Sequence, residues 1–388
     1  MAELLPDTDA PPPADEARRA LSPWTILLLV LLAAAVLSGW GAAIVAVLGL
    51  ALLIFVHELG HFTFAKLFGM RVERFYIGFP PAALTRRRGE TEYGVGIIPL
   101  GGFCKISGMN PEEEIPDEVR ERAYYAKPIW QRNLTILAGP LFNIGAAVVI
   151  LFALLMVGGE ARTTLTVDYV QPGTPAAAAG LHAGDTLVGV DGGRLASWDE
   201  AVSFFRDHPH DQVTLTWRTG AGVECTATVT LTTNPTDPNS QAGYLGVRSR
   251  VVTVRPAPWT GLWMAVRWTG DIVYRTFQGL WLLVSGQTPV GGSEGAVGPV
   301  GIVKLSLSLW NQDPRLYVLL LAFLAVNLGI INLLPLLPFD GGHLVLNTIE
   351  RVRGRRVPAR VVERFVVVGV ALLLTFTVYV TWFDIRGR

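Results

Sequence analysis

Charge is what this sequence has least of. Only 16% of its 388 residues are Asp, Glu, Lys or Arg, where a soluble globular chain carries about a quarter. The shortfall argues against a wholly soluble protein, and the 51% hydrophobic content argues against disorder. Neither sign is in excess: Lys and Arg number 32, as do Asp and Glu. Without a net positive charge or a basic run, no nucleic-acid partner is expected. Cysteine is almost missing. Two thiols, Cys104 and Cys225, cannot build a disulfide framework or a thiolate zinc cluster. A metal in this chain would have to be held by His and carboxylate.

What fills the sequence instead is long apolar runs, and the mean hydropathy is +0.40. Residues 25–56 contain no charged side chain. That run is too long for the core of a signal peptide and reads as membrane-spanning. With its continuation to Phe68 it is long enough for two passes, broken at Ser38-Gly39-Trp40-Gly41. Residues 24–37 are short for a full span, so a single long tilted helix is the alternative. Further runs cover 134–157, 316–337 and 361–382. The expectation is a polytopic α-helical membrane protein of four or five spans.

Orientation follows from Lys and Arg beside the spans. The loop after the first region carries Lys66, Arg71, Arg74 and Arg86 to Arg88; that after the third run carries Arg351, Arg353, Arg355, Arg356 and Arg360. Both are expected on the cytoplasmic side, which places the connection between the second and third runs outside. Arg18 and Arg19 favour a cytoplasmic N-terminus and hence five spans.

The expected organisation is a disordered, Pro- and Ala-rich tail at 1–23, then an N-terminal membrane half at 24–160. A β-rich extracytoplasmic domain at 161–233 follows, then a linker with an interfacial helix at 234–314, then a C-terminal membrane half at 315–388. The β-rich reading rests on alternation, as in Gln212-Val213-Thr214-Leu215-Thr216-Trp217. The interfacial reading rests on Arg267, Asp271 and Arg275, which share one helical face while Trp263, Val266, Phe277 and Trp281 lie mostly elsewhere.

Chemistry concentrates at His57-Glu58-Leu59-Gly60-His61. On a helix, positions i and i+4 point the same way, so both imidazoles can share one Zn²⁺ while Glu58 serves as general base. These residues end a long apolar helix, where two His and a Glu are costly. A catalytic zinc usually has three protein ligands. Glu73, Glu90 and Glu92 sit among arginines and are poor candidates. Asp340 is better: it follows Pro335 and Pro338, which interrupt the end of the 316–337 run, and precedes Gly341-Gly342. The competing role for Asp340 is a helix N-cap. Asn332, in the same interrupted stretch, is a candidate to bind substrate or a developing oxyanion, the competing role being to satisfy the broken helix backbone. His343 is set aside as supporting or core, and His182, His208 and His210 as surface residues.

A membrane HExxH helix, a remote Asn-x-x-Pro…Asp-Gly element and an inserted external domain together resemble the site-2 proteases, intramembrane zinc metalloproteases. The similarity is greatest to the bacterial branch that cleaves anti-sigma factors, especially its actinobacterial members. It is carried by Gly78-Phe79-Pro80, Glu92-Tyr93-Gly94-Val95-Gly96, Pro99-Leu100-Gly101-Gly102-Phe103, Ala138-Gly139-Pro140-Leu141-Phe142-Asn143 and the stretch from Asn332 to His343. The early extra apolar segment departs from the family pattern.

The resemblance implies zinc ligation by His57, His61 and Asp340, catalysis by Glu58, and substrate contact by Asn332. It also implies a membrane-associated β-hairpin over 92–103, whose edge, with Gly94 and Gly96, would take an unwound substrate as an added strand. Residues 170–192 resemble part of a PDZ domain, which would bind peptide C-termini or act as a size filter. Implied partners are the lipid bilayer and single-pass membrane proteins already trimmed outside by another protease. The implied active site faces the cytoplasmic side of the cell membrane. A catalytically idle scaffold presenting its PDZ domain is the alternative.

Overall fold

The computed structural model describes residues 41–110, 113–234, 241–287 and 297–386. The expected tail and the first part of the first apolar region lie outside the described residues, and with them the choice between four and five spans. The chain runs α1 (Gly41–Leu67), β1 (Val72–Arg88), β2 (Thr91–Ile106), α2 (Ile129–Gly158), β3 (Glu160–Val170), β4 (Thr186–Val190), α3 (Trp198–Asp207), β5 (Gln212–Arg218), β6 (Glu224–Thr230), β7 (Val247–Val254), α4 (Pro258–Val284), α5 (Pro299–Gln312), α6 (Pro314–Asn332), α7 (Asp340–Arg353) and α8 (Ala359–Arg386), with short turns and bridges between. It divides into two compact units, one of residues up to 154 and from 262 on, the other of Leu155–Gly261.

Four described helices, α1 (from Ile44), α2, α6 and α8, are long and apolar enough to cross a membrane. The protein is a multi-pass membrane protein. Three of them coincide with the expected later runs, except that α6 stops at Asn332 rather than 337. Two prolines follow within six residues, and proline can neither donate the helical hydrogen bond nor tolerate the preceding turn. The unwound stretch is then held by glycines. A Cβ on Gly341 would strike the carbonyls of Leu333 and Leu334, and one on Gly369 of α8 would strike the Leu337 carbonyl.

The strands β1 and β2 form more than a simple hairpin. Each bends midway, so four segments lie side by side in the order 82–88, 91–96, 72–77, 102–106. The turn between them is anchored at Glu90, which accepts from Lys66 at 2.7 Å and from Arg122 at 2.6 Å. One face packs on α1, through Phe75 against Phe55 (5.4 Å) and Phe62 (4.5 Å). Ile77, Leu84, Val95 and Ile97 are exposed, as residues meeting hydrocarbon would be.

Helix α7 is bound to α2 by polar contacts. Arg132 meets Glu350 at 2.5 Å, with both side chains largely buried. Asn347 donates to Tyr124 Oη at 2.9 Å and to Asn133 Oδ1 at 2.8 Å. Truncating one partner of a buried pair strands the other, at about 3–5 kcal/mol. Arg132→Ala is therefore expected to lower the melting temperature in detergent sharply. Replacing both Arg132 and Glu350 with apolar residues of similar volume should recover most of that loss; a double variant as unstable as the single would refute this account.

The second unit is a β-sheet in the order β7-β3-β4-β5-β6 with α3 packed against it. Its core is Val167, Leu187, Val213, Leu215, Trp217 and Leu231, with Phe205 from α3. The alternation read in 212–217 is the burial pattern of β5. Helix α3 starts with a reciprocal cap: Ser197 Oγ accepts from the Glu200 amide (3.2 Å), and Glu200 accepts from the Ala196 amide (2.7 Å). The sheet continues beyond 233, because β7 pairs antiparallel with β3. Its run Val247–Val254 is exposed along most of its length, and so lacks the buried alternation that marks β5.

Candidate active site

The site is assembled where α1, α2 and the start of α7 meet. Small residues make the approach possible, since close backbone contact in a membrane needs glycine or its like. Gly60 of α1 lies against the Ala138 carbonyl and 2.8 Å, measured from an ideal Cβ, from the Gly139 amide nitrogen. Gly139 in turn leaves room for the imidazoles. A Cβ there would collide with His61 Nε2 and lie 2.9 Å from His57 Cε1. Gly329 lets α6 rest on the Pro140 carbonyl (2.9 Å).

Three donor atoms converge in this space. His57 Nε2 is 2.9 Å from Asp340 Oδ2, His61 Nε2 is 3.3 Å from it, and the two Nε2 atoms are 3.2 Å apart. Zinc ligands at about 2.0–2.1 Å in tetrahedral array stand roughly 3.3 Å from one another. Asp340 Oδ2 is buried yet has no hydrogen-bond partner. Atoms arranged in this way share a focus for their lone pairs, so the residues fit a metal ion.

The remaining imidazole nitrogens support that reading. His61 Nδ1 lies 2.9 Å from the Thr135 carbonyl, a partner that accepts only. The proton is therefore on Nδ1 and the lone pair on Nε2. His57 Nδ1 lies 3.2 Å from the Asn143 side-chain amide, whose Oδ1 is otherwise unpartnered and buried. Amide oxygen and nitrogen exchange places by a half-turn. With Oδ1 toward Nδ1–H, His57 also presents its Nε2 lone pair.

Glu58 stands beside the group without joining it. Gly102 faces it so closely that a Cβ would be 2.7 Å from Glu58 Cγ. Glu58, the three donors, Asn332 and His343 all line one cavity of about 370 Å³. Glu73, Glu90 and Glu92 are engaged elsewhere, by Lys105 and Ser107, by Lys66 and Arg122, and by Tyr76 respectively. His182, His208 and His210 belong to the second unit, and among the described residues none is in the metal-type group.

Strand register bears on two of the expected substrate contacts. Gly94 pairs with Tyr76 on one side and Thr85 on the other, and Gly96 pairs with Ala82. Residues 92–95 are thus paired on both sides within the sheet, and Gly96 on one. The segment beside Glu58 is 102–106, paired among the described residues with 72–77 alone. Sequence spacing hid this because the bends at 79–81 and 97–100 turn two strands into four segments. Gly102, Gly139 and Asn143 lay inside quoted motifs but had no assigned part. Their roles depend on what each faces across the bundle, which no local pattern records.

A family model described as peptidase family M50 matches residues 45–376. Zinc metalloprotease Rip1 of Mycobacterium tuberculosis is 34% identical over 346 residues, covering 78% of this chain and 85% of that protein. Rip1 of Mycobacterium bovis matches to the same extent. Among solved structures, a PDZ domain of an SdrC-like protein from Listeria monocytogenes covers 22% of this chain and 87% of its own, at 25% identity and a TM-score of 0.20. By the extent of the family match and of the relatives' identity, the chain belongs to peptidase family M50.

Proposed function

We propose that the protein is a zinc-dependent intramembrane endopeptidase that cuts the membrane segments of single-pass proteins. The observation that carries this is the convergence of His57, His61 and Asp340 on one point, with Glu58 adjacent in the same cavity. In this reading His57, His61 and Asp340 hold the zinc, which supplies a Lewis acid and lowers the pKa of water at the site. Glu58 accepts a proton from the attacking water and passes it to the leaving nitrogen. Asn332, on the wall of the same cavity, hydrogen-bonds the substrate carbonyl in this reading.

A helical substrate hides its peptide bonds, and unpaired backbone groups in hydrocarbon cost several kcal/mol, roughly. The edge at 102–106 offsets that loss by offering backbone partners to an unwound segment. The Lys and Arg distribution puts the metal group toward the cytoplasm and the β-rich unit outside. Anti-sigma factors trimmed by an earlier protease fit this substrate class. The β-rich unit, read as PDZ-like, would bind a peptide C-terminus or exclude bulky ectodomains.

The test is cleavage of a tagged single-pass substrate by purified wild type and by Asp340→Asn, with zinc content measured for both. The variant should lose cleavage and most of its zinc. If it keeps both, Asp340 is not a ligand. If the folded wild type holds no zinc and cuts nothing, the proposal fails as a whole. Asn143→Ala provides a graded counterpart. Loss of a group that orients a metal-bound imidazole typically costs 10–100-fold in affinity. Chelator competition should show a weakening of about that size, with the melting temperature of the metal-free protein little changed. Equal zinc affinity in wild type and variant would remove Asn143 from the site.

A further inference from the structure

A second cavity, of about 480 Å³, adjoins the catalytic one. The two share Phe103, Cys104, Ile106, Met109 and His343 in their walls. The far wall is the beginning of α8, chiefly Val362 and Val366. Its volume is within the range of ligand clefts, about 300–1,000 Å³, and most of these side chains are apolar. It runs along the sheet edge 102–106, on the part formed by residues 103–106. A peptide paired to that edge would send alternate side chains to opposite faces.

We propose that this second cavity is a side-chain subsite. It takes a large apolar residue of the bound substrate strand, one or two positions from the cleaved bond, and thereby selects which bond is cut. The inference rests on the protease reading above and names a determinant within it. Two features commit the cavity to this occupant. It is continuous with the catalytic cavity through five shared residues, and it lies against backbone that lacks a sheet partner on that side. Val362 and Val366 line the second cavity and not the catalytic one, so they bear on selection and not on chemistry.

The experiment uses full-length protein in detergent and one cleavable single-pass substrate, varied to Ala, Leu and Phe at each position flanking the cut. Wild type should favour Leu or Phe at one of these positions. Val366→Trp narrows the cavity and should lower kcat/KM for that substrate by about 10–200-fold, the usual scale for a misfit in an apolar pocket. Its activity on the matching Ala substrate should be retained or improved, with zinc content unchanged. Val362→Trp serves if the first variant does not fold. Unaltered preference in a folded tryptophan variant would overturn the subsite, as would equal loss on every substrate. Lower cleavage that returns on removing lipid would identify an acyl chain as the occupant and overturn it too. Glu58→Gln runs alongside. If wild type and Glu58→Gln are equally inactive, the protease reading has failed; if only the tryptophan variants behave like wild type, the subsite alone has.

Discussion

Glu58→Gln should retain zinc and substrate binding while losing cleavage by about 10²–10⁴-fold, the range general acid–base catalysis contributes. The substitution keeps the shape of the side chain and removes only its ability to take a proton. Shape matters at this position because Gly102 is packed directly against Glu58 Cγ. A larger or branched replacement would displace the strand and confuse the result. The donors His57, His61 and Asp340 form a complete set of three without Glu58, so metal affinity should be nearly unaffected. Zinc content, substrate capture and cleavage rate measured on one preparation separate the possibilities. Cleavage at the wild-type rate would mean another base acts. Loss of zinc together with activity would make Glu58 a ligand.

The relation between sequence and site is uneven for physical reasons. His57 and His61 were legible because helical spacing alone puts them together. Asp340 was legible only by the cost of a carboxylate in an apolar stretch broken by two prolines; no spacing rule connects residues so far apart. The spanning helices were read from length and composition, and α6 deviated only where proline chemistry ended it. The sheet was less legible. Its register depends on two bends that fold each strand over, and a shift of this kind exchanges interior segments for edges. Hence the sequence could not show that Gly94 is paired on both sides while 102–106 is paired on one. The β-rich unit was undercounted because β7 is solvent-exposed along most of its length, so its sequence lacks the alternation that marks β5. His343 was set aside on ligand counting, yet it lines both cavities. Counting ligands says nothing about who else faces the space.

Gly139→Ala is expected to be as damaging to metal binding as loss of a ligand, although the change is one methyl group. The added carbon would fall on His61 Nε2 and within 2.9 Å of His57 Cε1. Neither helix can retreat cheaply, because α1 is already seated through Gly60 on the Ala138 carbonyl. His61 must therefore swing away, breaking its contact with the Thr135 carbonyl and withdrawing its lone pair from the shared focus. Zinc affinity should fall by more than about 100-fold, beyond the 10–100-fold typical of supporting residues, and cleavage should fall with it. Gly145 is the matched control. It lies on the same helix, nearly two turns on, and an added Cβ meets nothing within 4 Å. There alanine removes only the flexibility of glycine, so Gly145→Ala should be neutral or more stable by up to about 1 kcal/mol, with full zinc and full activity. The same substitution at two sites on one helix then distinguishes packing against the imidazoles from any general effect on α2. If both variants bind zinc like wild type, the imidazoles do not occupy the space that Gly139 leaves open.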